Sequence, residues 1–196
     1  ALVDEMDQSA RAIESVNTLV NTAGHLKAYN TDYVAIRKLL AAHRVPPDCT
    51  FALRGSGGMA KAVACALRDA GFCAGTIVAR NEAVGKALAG LYGFDWRAEM
   101  GDWTADLLIN VTPLGMAGGA DAETLAFDDE AIRAARMVFD VVALPAETPL
   151  IRRAQARGKP VITGAEVFAI QAVEQFALYT GVRPDDALFK RAAAYA

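Results

Sequence analysis

Metal ligands and export signals are what this chain most lacks. Its 196 residues include 3 cysteines and 2 histidines. Cys49, Cys65 and Cys73 show no CxxC spacing, and His25 and His43 stand far apart, so a zinc site has little to draw on and no metal is expected. Unpaired cysteines in apolar surroundings pack as small hydrophobes where thiols stay reduced, which points to the cytoplasm. Positive charge is not in excess either. Twenty Lys plus Arg against 23 Asp plus Glu leave a net charge of -3, too little field to hold a phosphate backbone, so nucleic acid is not an expected partner. The longest run free of Asp, Glu, Lys and Arg reaches only from Leu107 to Ala120 and carries Asn110, Thr112, Pro113 and three glycines. No bilayer span is expected. The opening ALVDEMDQSARAIESVNTL is acidic and has no signal-peptide core, so nothing in it directs export. Apolar residues, in contrast, are plentiful. A 54% hydrophobic content with 22% charged residues supports one packed domain or two small ones and excludes disorder.

The pattern along the chain divides near Thr50. Before it, Leu2, Met6 and Ile13 sit among charges at near-helical spacing, predicting a short amphipathic helix. Val16 to Val20 and Leu26 to Tyr29 read as strands of a hairpin turning at Ala23-Gly24. Asn30-Thr31-Asp32 then offers side-chain oxygens to cap a helix carrying Tyr33, Ile36, Leu39 and Leu40, which Pro46-Pro47 stops. After Thr50 short apolar strands alternate with helical stretches, as in a parallel sheet covered on both faces. The strands are expected at Phe51 to Leu53, Thr76 to Ala79, Leu107 to Val111, Val138 to Val142 and Val161 to Thr163. The helices are expected at Met59 to Ala70, Glu82 to Tyr92 and Leu150 to Arg157, the last opened by Thr148-Pro149. Val167, Ile170, Val173, Phe176 and Ala177 keep one face of a further helix apolar, and another helix is expected near Asp185.

The strongest local signal is Gly55-Ser56-Gly57-Gly58-Met59-Ala60, a GxGxxA run directly after a strand and directly before a helix. Gly55 permits the tight turn, Gly57 lets the backbone approach a pyrophosphate, and Ala60 allows close packing of helix on strand. The helix N-terminus adds free N–H donors and partial positive charge. A bare glycine-rich turn is the plain alternative. At the end of the next strand the chain reads Ile77-Val78-Ala79-Arg80-Asn81, where an NAD enzyme would place a carboxylate for the ribose hydroxyls. A guanidinium there would fork onto a 2′-phosphate, so Arg80 favours NADP over NAD. The alternative is a solvated arginine opening a loop. Lys61, in the first helical turn, adds charge near the same phosphate or is an ordinary exposed helix lysine.

Asn110-Val111-Thr112-Pro113-Leu114-Gly115-Met116 ends a buried strand in a polar turn. Ligands of open α/β sheets lie beyond the carboxyl ends of strands, which places this turn at the nicotinamide half, although Pro113 and Gly115 equally suit a plain turn. Asn17 in the hairpin, Asp32 at a helix start and Gln171 on an apolar helix are three further polar groups that need partners or a cleft, or serve as caps and local bonds.

VNTL at 16 to 19, YNTD at 29 to 32, GSGGMAK at 55 to 61, ARN at 79 to 81, INVTPLGM at 109 to 116 and PAETPLI at 145 to 151 occur in one order. This ordered set resembles the shikimate dehydrogenase family, more closely its shikimate dehydrogenase-like branch, along almost the whole chain. The resemblance implies an NADP-dependent enzyme that reversibly reduces 3-dehydroshikimate to shikimate in chorismate and aromatic amino acid biosynthesis, or acts on a related quinate-type polyol acid. It implies that Asn17, Asp32 and Gln171 touch the cyclitol acid, with Asp32 also catalytic. The cofactor would be held by Gly55, Ser56, Gly57, Gly58, Met59, Ala60, Lys61, Arg80 and Asn81. Thr112, Pro113, Leu114, Gly115 and Met116, with Val142 and Gly164, would flank the nicotinamide.

Four departures from the family pattern bear on activity and substrate. The catalytic lysine that the family carries near VPFK is missing, and none of Lys27, Lys38, Lys61, Lys86, Lys159 and Lys190 precedes VNTL. The serine pair for the substrate carboxylate is missing as well. Ala143 stands where a tyrosine is usual, and Glu166 where a glycine is usual. The expected organisation is therefore a remnant of the substrate domain at residues 1–31, an NADP-binding Rossmann-like domain at 32–164, and C-terminal helices at 165–196 returning toward the substrate side. Such a chain would lack normal turnover, and its uncovered apolar surface would promote homo-oligomers. A non-catalytic NADP-binding or sensing module is the competing reading. A methylenetetrahydrofolate dehydrogenase-like enzyme shares the plan but not the VNTL and NTD pair.

Overall fold

A computed structural model describes residues 2–185 together with Ala187 and Leu188. In chain order the elements are β1 (Glu5–Met6), α1 (Gln8–Ile13), β2 (Thr18–Thr22), β3 (His25–Tyr29), α2 (Thr31–Ala42), β4 (Phe51–Arg54), α3 (Gly58–Asp69), β5 (Gly75–Val78), α4 (Glu82–Tyr92) and β6 (Asp95–Arg97), then β7 (Leu107–Asn110), α5 (Asp129–Ala134), β8 (Met137–Asp140), α6 (Pro149–Ala156), β9 (Val161–Ile162) and α7 (Gly164–Thr180). The helix expected near Asp185 falls largely outside the described residues.

Six strands form one sheet in the order β6-β5-β4-β7-β8-β9, with every neighbouring pair parallel. The chain leaves β4 toward one edge and returns to β7 to build the other, so the strand order reverses between β4 and β7. That reversal opens a crevice at the carboxyl ends of these strands. Alternation along the strands feeds two cores. Phe51, Leu53, Ile77, Leu107 and Ile109 pack under α2, α3 and α4, while Ala52, Val78, Leu108 and Val138 pack under α5 and α6. No helix among the described residues is long and apolar enough to cross a membrane.

The N-terminal region departs from its periodicity. Glu5 and Met6 form a strand paired parallel with Lys27 and Ala28 of β3, and a helix begins only after Asp7, whose carboxylate accepts the Ser9 N–H at 2.9 Å. The spacing of Leu2 and Met6 mimicked a helical turn, but the capping aspartate and the 2.6 Å Lys27–Glu5 ion pair across the strands favour sheet. The hairpin lies two residues further along than Val16 to Val20 suggests. Ala23 (φ 51°) and Gly24 (φ 92°) both adopt left-handed backbone, making a two-residue turn that lets pairing run up to Thr22 opposite His25. Two elements carry no legible pattern. β6 is a polar edge strand anchored by Trp96, whose indole N–H donates to the Ala79 carbonyl at 3.1 Å, and α5 is a short helix capped by Asp128. With β6 present, the strand ending at Asn110 is the fourth of its sheet, not the third.

Candidate functional site

Two groups of polar residues converge at the carboxyl end of the sheet. The first is a cleft of about 660 Å³ whose walls include Arg54, Gly55, Ser56, Arg80, Asn81, Thr112, Pro113 and Leu114. It opens over the ends of β4, β5 and β7, where the strand order reverses. Gly55 has φ +123°, and a Cβ there would meet Val111 Cγ2 at 2.8 Å, so only glycine makes this turn without displacing the neighbouring strand end.

Helix α3 differs from the other helices at its start. A side chain caps each of α1, α2, α4, α5, α6 and α7, from Asp7, Asn30, Asn81, Asp128, Thr148 and Thr163. Gly57, the residue at that position before α3, supplies no side-chain cap, and the first turn contains no acid. Its amide donors and the positive end of the helix dipole are left for an acceptor from outside the chain. Gly57 and Gly58 have open space where a Cβ would project, so a bulky anion can approach the backbone. Ala60 is wholly buried and Met59 packs at the margin of the core. Both serve helix packing. Lys61 is half-buried and is not among the residues that form the cleft wall.

Arg80 is exposed at the cleft mouth. The Asn81 side chain lines the cleft, and its Oδ1 accepts the Val84 N–H at 3.1 Å, capping α4.

The turn after β7 is held from within. Asn110 is fully buried; its Oδ1 accepts the Thr112 hydroxyl at 2.6 Å and the Thr112 N–H at 3.1 Å. Its Nδ2 donates to Asp140 at 3.0 Å. Asp140, also fully buried, accepts from Thr148 Oγ1 at 2.7 Å and from the Val142 N–H at 3.1 Å. Burial pushes the Asp140 carboxyl above its ordinary value, against the pull of these donors. One hydrogen-bonded chain thereby fixes the turn after β7 to the loop after β8 and the start of α6. Gly115 points into this junction, where a Cβ would lie 3.3 Å from Thr148 Cβ. Met116 faces solvent. Val142 is buried, and its carbonyl would lie 2.2 Å from a Cβ at Gly164, so α7 starts in contact with the loop after β8.

The second group joins β2, α2 and α7. Gln171 Nε2 donates to Asp32 Oδ1, and the Asn17 side chain draws the Asp32 carboxyl downward. Burial raises the Asp32 carboxyl above its usual range, and the Asn17 contact only partly offsets this. Asn17 Oδ1 accepts the Thr31 N–H at 3.0 Å and the Thr18 hydroxyl at 2.9 Å. Gln175, one turn beyond Gln171, donates to Thr18 and Thr31 at 3.3 and 3.4 Å. Asn17, Asp32 and Gln171, far apart in sequence, thus share one polar cluster. Gln175 and Arg54 escaped the sequence reading. The i, i+4 spacing of the two glutamines, and an arginine closing an apolar strand just before Gly55, were the available signals.

Glu166, at the position where glycine is usual, has a local occupation. Its Oε2 accepts the Thr163 N–H at 2.8 Å and its Oε1 lies 2.8 Å from His43 Nε2. Burial opposes its charge, but the Thr163 and His43 hydrogen bonds hold its carboxyl below the ordinary value. It ties the start of α7 to the end of α2.

No protein-family model matches the chain. Individual proteins do. The shikimate dehydrogenase-like protein of Haemophilus influenzae is 52% identical over 194 residues, covering 99% of this chain and 72% of its own length. The shikimate dehydrogenase (NADP(+)) of Acidiphilium cryptum is 41% identical over 203 residues, 99% of this chain and 71% of its own length. Among solved structures, the shikimate 5-dehydrogenase of Thermus thermophilus in complex with NADP(H) and shikimate aligns with a TM-score of 0.83 at 31% identity, over 98% of this chain and 72% of that one.

Proposed function

The chain belongs to the shikimate dehydrogenase family, and from that premise we propose that it forms the NADP-binding and substrate-facing part of an NADP-dependent oxidoreductase. The reaction is the interconversion of a ring ketone and its alcohol, 3-dehydroshikimate and shikimate or a quinate-type polyol acid, on the route to chorismate and aromatic amino acids. The observation that carries this reading is the cleft at the strand-order reversal, with an uncapped helix start on one side and Arg80 on the other. The residues fit a phosphorylated dinucleotide: amide donors at Gly57 and Gly58 face open space, and no acid follows β5 before Glu82 to repel a 2′-phosphate.

When bound, NADPH supplies the hydride. The protein's share is positioning and proton handling. Thr112 and Leu114, fixed through Asn110 and Asp140, shape the wall nearest the nicotinamide half, with Val142 and Gly164 behind it. Asp32, Asn17 and Gln171 present acceptors and donors matched to ring hydroxyls. Asp32, held toward its neutral form by burial, is suited to hold a proton where an alkoxide develops. Residues 1–31 and α7 form the substrate side in this reading, residues 32–164 the nucleotide side. The buried free thiols of Cys49 and Cys65 suit a reducing cytoplasm. Exposed Phe168, Phe176 and Tyr179 on α7 supply apolar surface for self-association.

The competing reading is a dinucleotide-binding module without turnover. Titration of NADPH fluorescence tests the binding shared by both readings, and shikimate-dependent reduction of NADP separates them. Saturable binding with turnover supports the enzyme; binding without turnover supports the module; no binding refutes both.

A further inference from the structure

The cofactor cleft holds a second cation besides Arg80. Arg54 is the last residue of β4. Strand alternation sends its side chain to the α5/α6 side of the sheet, opposite to Leu53, and it forms part of the cleft wall together with Arg80. Its guanidinium carbon lies 5.3 Å from the centre of the Phe127 ring. Its Nε is shut away from solvent with no hydrogen-bond partner. The terminal nitrogens make no hydrogen bond to the described residues and are not shut away, so they are the donors left to face the cleft. Burial pulls the Arg54 guanidinium below its ordinary value, as does the nearby Arg80, while Glu99 and Asp128 favour its charge, and Asp121 is the one carboxylate residue among those lining the cleft.

Two like-charged guanidinia lining one cleft, neither hydrogen-bonded to a carboxylate among the described residues, form a site for a doubly charged anion. Resting on the NADP reading above, we infer that Arg54 is a specificity-determining residue that grips the 2′-phosphate of the adenosine jointly with Arg80. The Phe127 ring lies against its guanidinium. Arg54 would also explain why an arginine is tolerated at the end of a buried strand: its donors are completed by ligand, not by protein.

The test compares the parent chain with Arg54→Met and Arg54→Lys by calorimetric titration of adenosine 2′,5′-bisphosphate and 5′-AMP, with thermal melting of each ligand-free protein. Methionine keeps an unbranched apolar stem and removes the donors. The expected result is a loss of affinity of about tenfold or more for the bisphosphate in Arg54→Met, with 5′-AMP binding changed by less than about threefold. Arg54→Lys should lie between the parent and Arg54→Met, and the ligand-free melting temperature of Arg54→Met should equal or exceed that of the parent. An equal loss for both probes would move Arg54 to the adenine or to general packing and overturn the inference, as would an unchanged bisphosphate affinity. The ratio of the two affinities is read within one folded variant, so it does not depend on stability. A parent chain that binds neither the bisphosphate nor NADPH would overturn the NADP reading itself, whereas selective binding by the parent with no effect of Arg54→Met overturns only the role of Arg54.

Discussion

Replacing Arg80 with alanine isolates the electrostatic contribution to cofactor choice. Arg80 is exposed at the cleft mouth and hydrogen-bonds to none of the described residues, so its removal leaves no buried group unpaired and the fold should be unaffected. A guanidinium forked onto a phosphate makes two charge-assisted hydrogen bonds, each contributing about 1.5–3 kcal/mol in sheltered settings. Exposure screens them, and ion pairs in open solvent contribute only about 0.2–1 kcal/mol. A pair at the rim of a cleft falls between, at about 1.5–2.5 kcal/mol in total, which converts to an affinity loss of roughly 10- to 70-fold. The loss should fall on NADPH alone; NADH lacks the 2′-phosphate and should bind within about twofold of the parent. Fluorescence titration of both nucleotides against parent and Arg80→Ala measures this, and repetition at raised ionic strength should shrink the difference, because the Debye length is about 10 Å at 0.1 M salt and about 3 Å at 1 M. Equal weakening of NADPH and NADH, or no weakening of either, would refute the assignment of Arg80 to the 2′-phosphate.

Three other substitutions probe the scaffold. Gly164→Ala places a Cβ 2.2 Å from the Val142 carbonyl oxygen and 2.4 Å from that of Val141, backbone that cannot swing aside as a side chain would, so it should destabilise by about 1–3 kcal/mol in urea unfolding and disturb the start of α7. Thr148→Val removes both the bond to buried Asp140 and the cap on Ile151; a loss of about 2–4 kcal/mol is expected, and a loss below about 0.5 kcal/mol would show the Asp140 chain to be unimportant. Asp32→Asn should melt higher than the parent at neutral pH. Burial raises the folded carboxyl above the ordinary value of 3.8, so the native state binds more protons than the unfolded one. Stability is then full below that value and falls as pH rises through the folded one. The advantage of asparagine should therefore be present at pH 8 and shrink as pH is lowered toward 4; an advantage that grows on acidification would contradict the sign of the shift.

Much of this architecture was readable in one dimension because its cause is local. Four-residue strands such as Leu107–Asn110 and Gly75–Val78, mostly apolar, are buried on both faces, and a strand of that kind needs no alternation to be recognised. The Gly55–Ala60 run announces a turn whose backbone only glycine reaches. Cap residues such as Asn30 and Thr148 mark helix starts through bonds three residues long. Where local signals misled, longer-range pairing had the last word. Glu5–Met6 became strand because Lys27 lies beside it, and β6 formed at the sheet edge from Asp95, Trp96 and Arg97, which have no apolar pattern to betray them.

Residue chemistry alone therefore specified a parallel α/β sheet, the glycine turn, and an arginine rather than an acid after the second strand of that sheet, since each depends on neighbours within a few positions. Tertiary structure decided what meets what. It brought Asn17, Asp32 and Gln171 together from distant stretches, set Glu166 against His43, and turned Arg54 toward the same cleft as Arg80. Those outcomes depend on how the strands cross and which faces the helices cover, and that information resides in long-range contacts rather than in any short stretch of the chain.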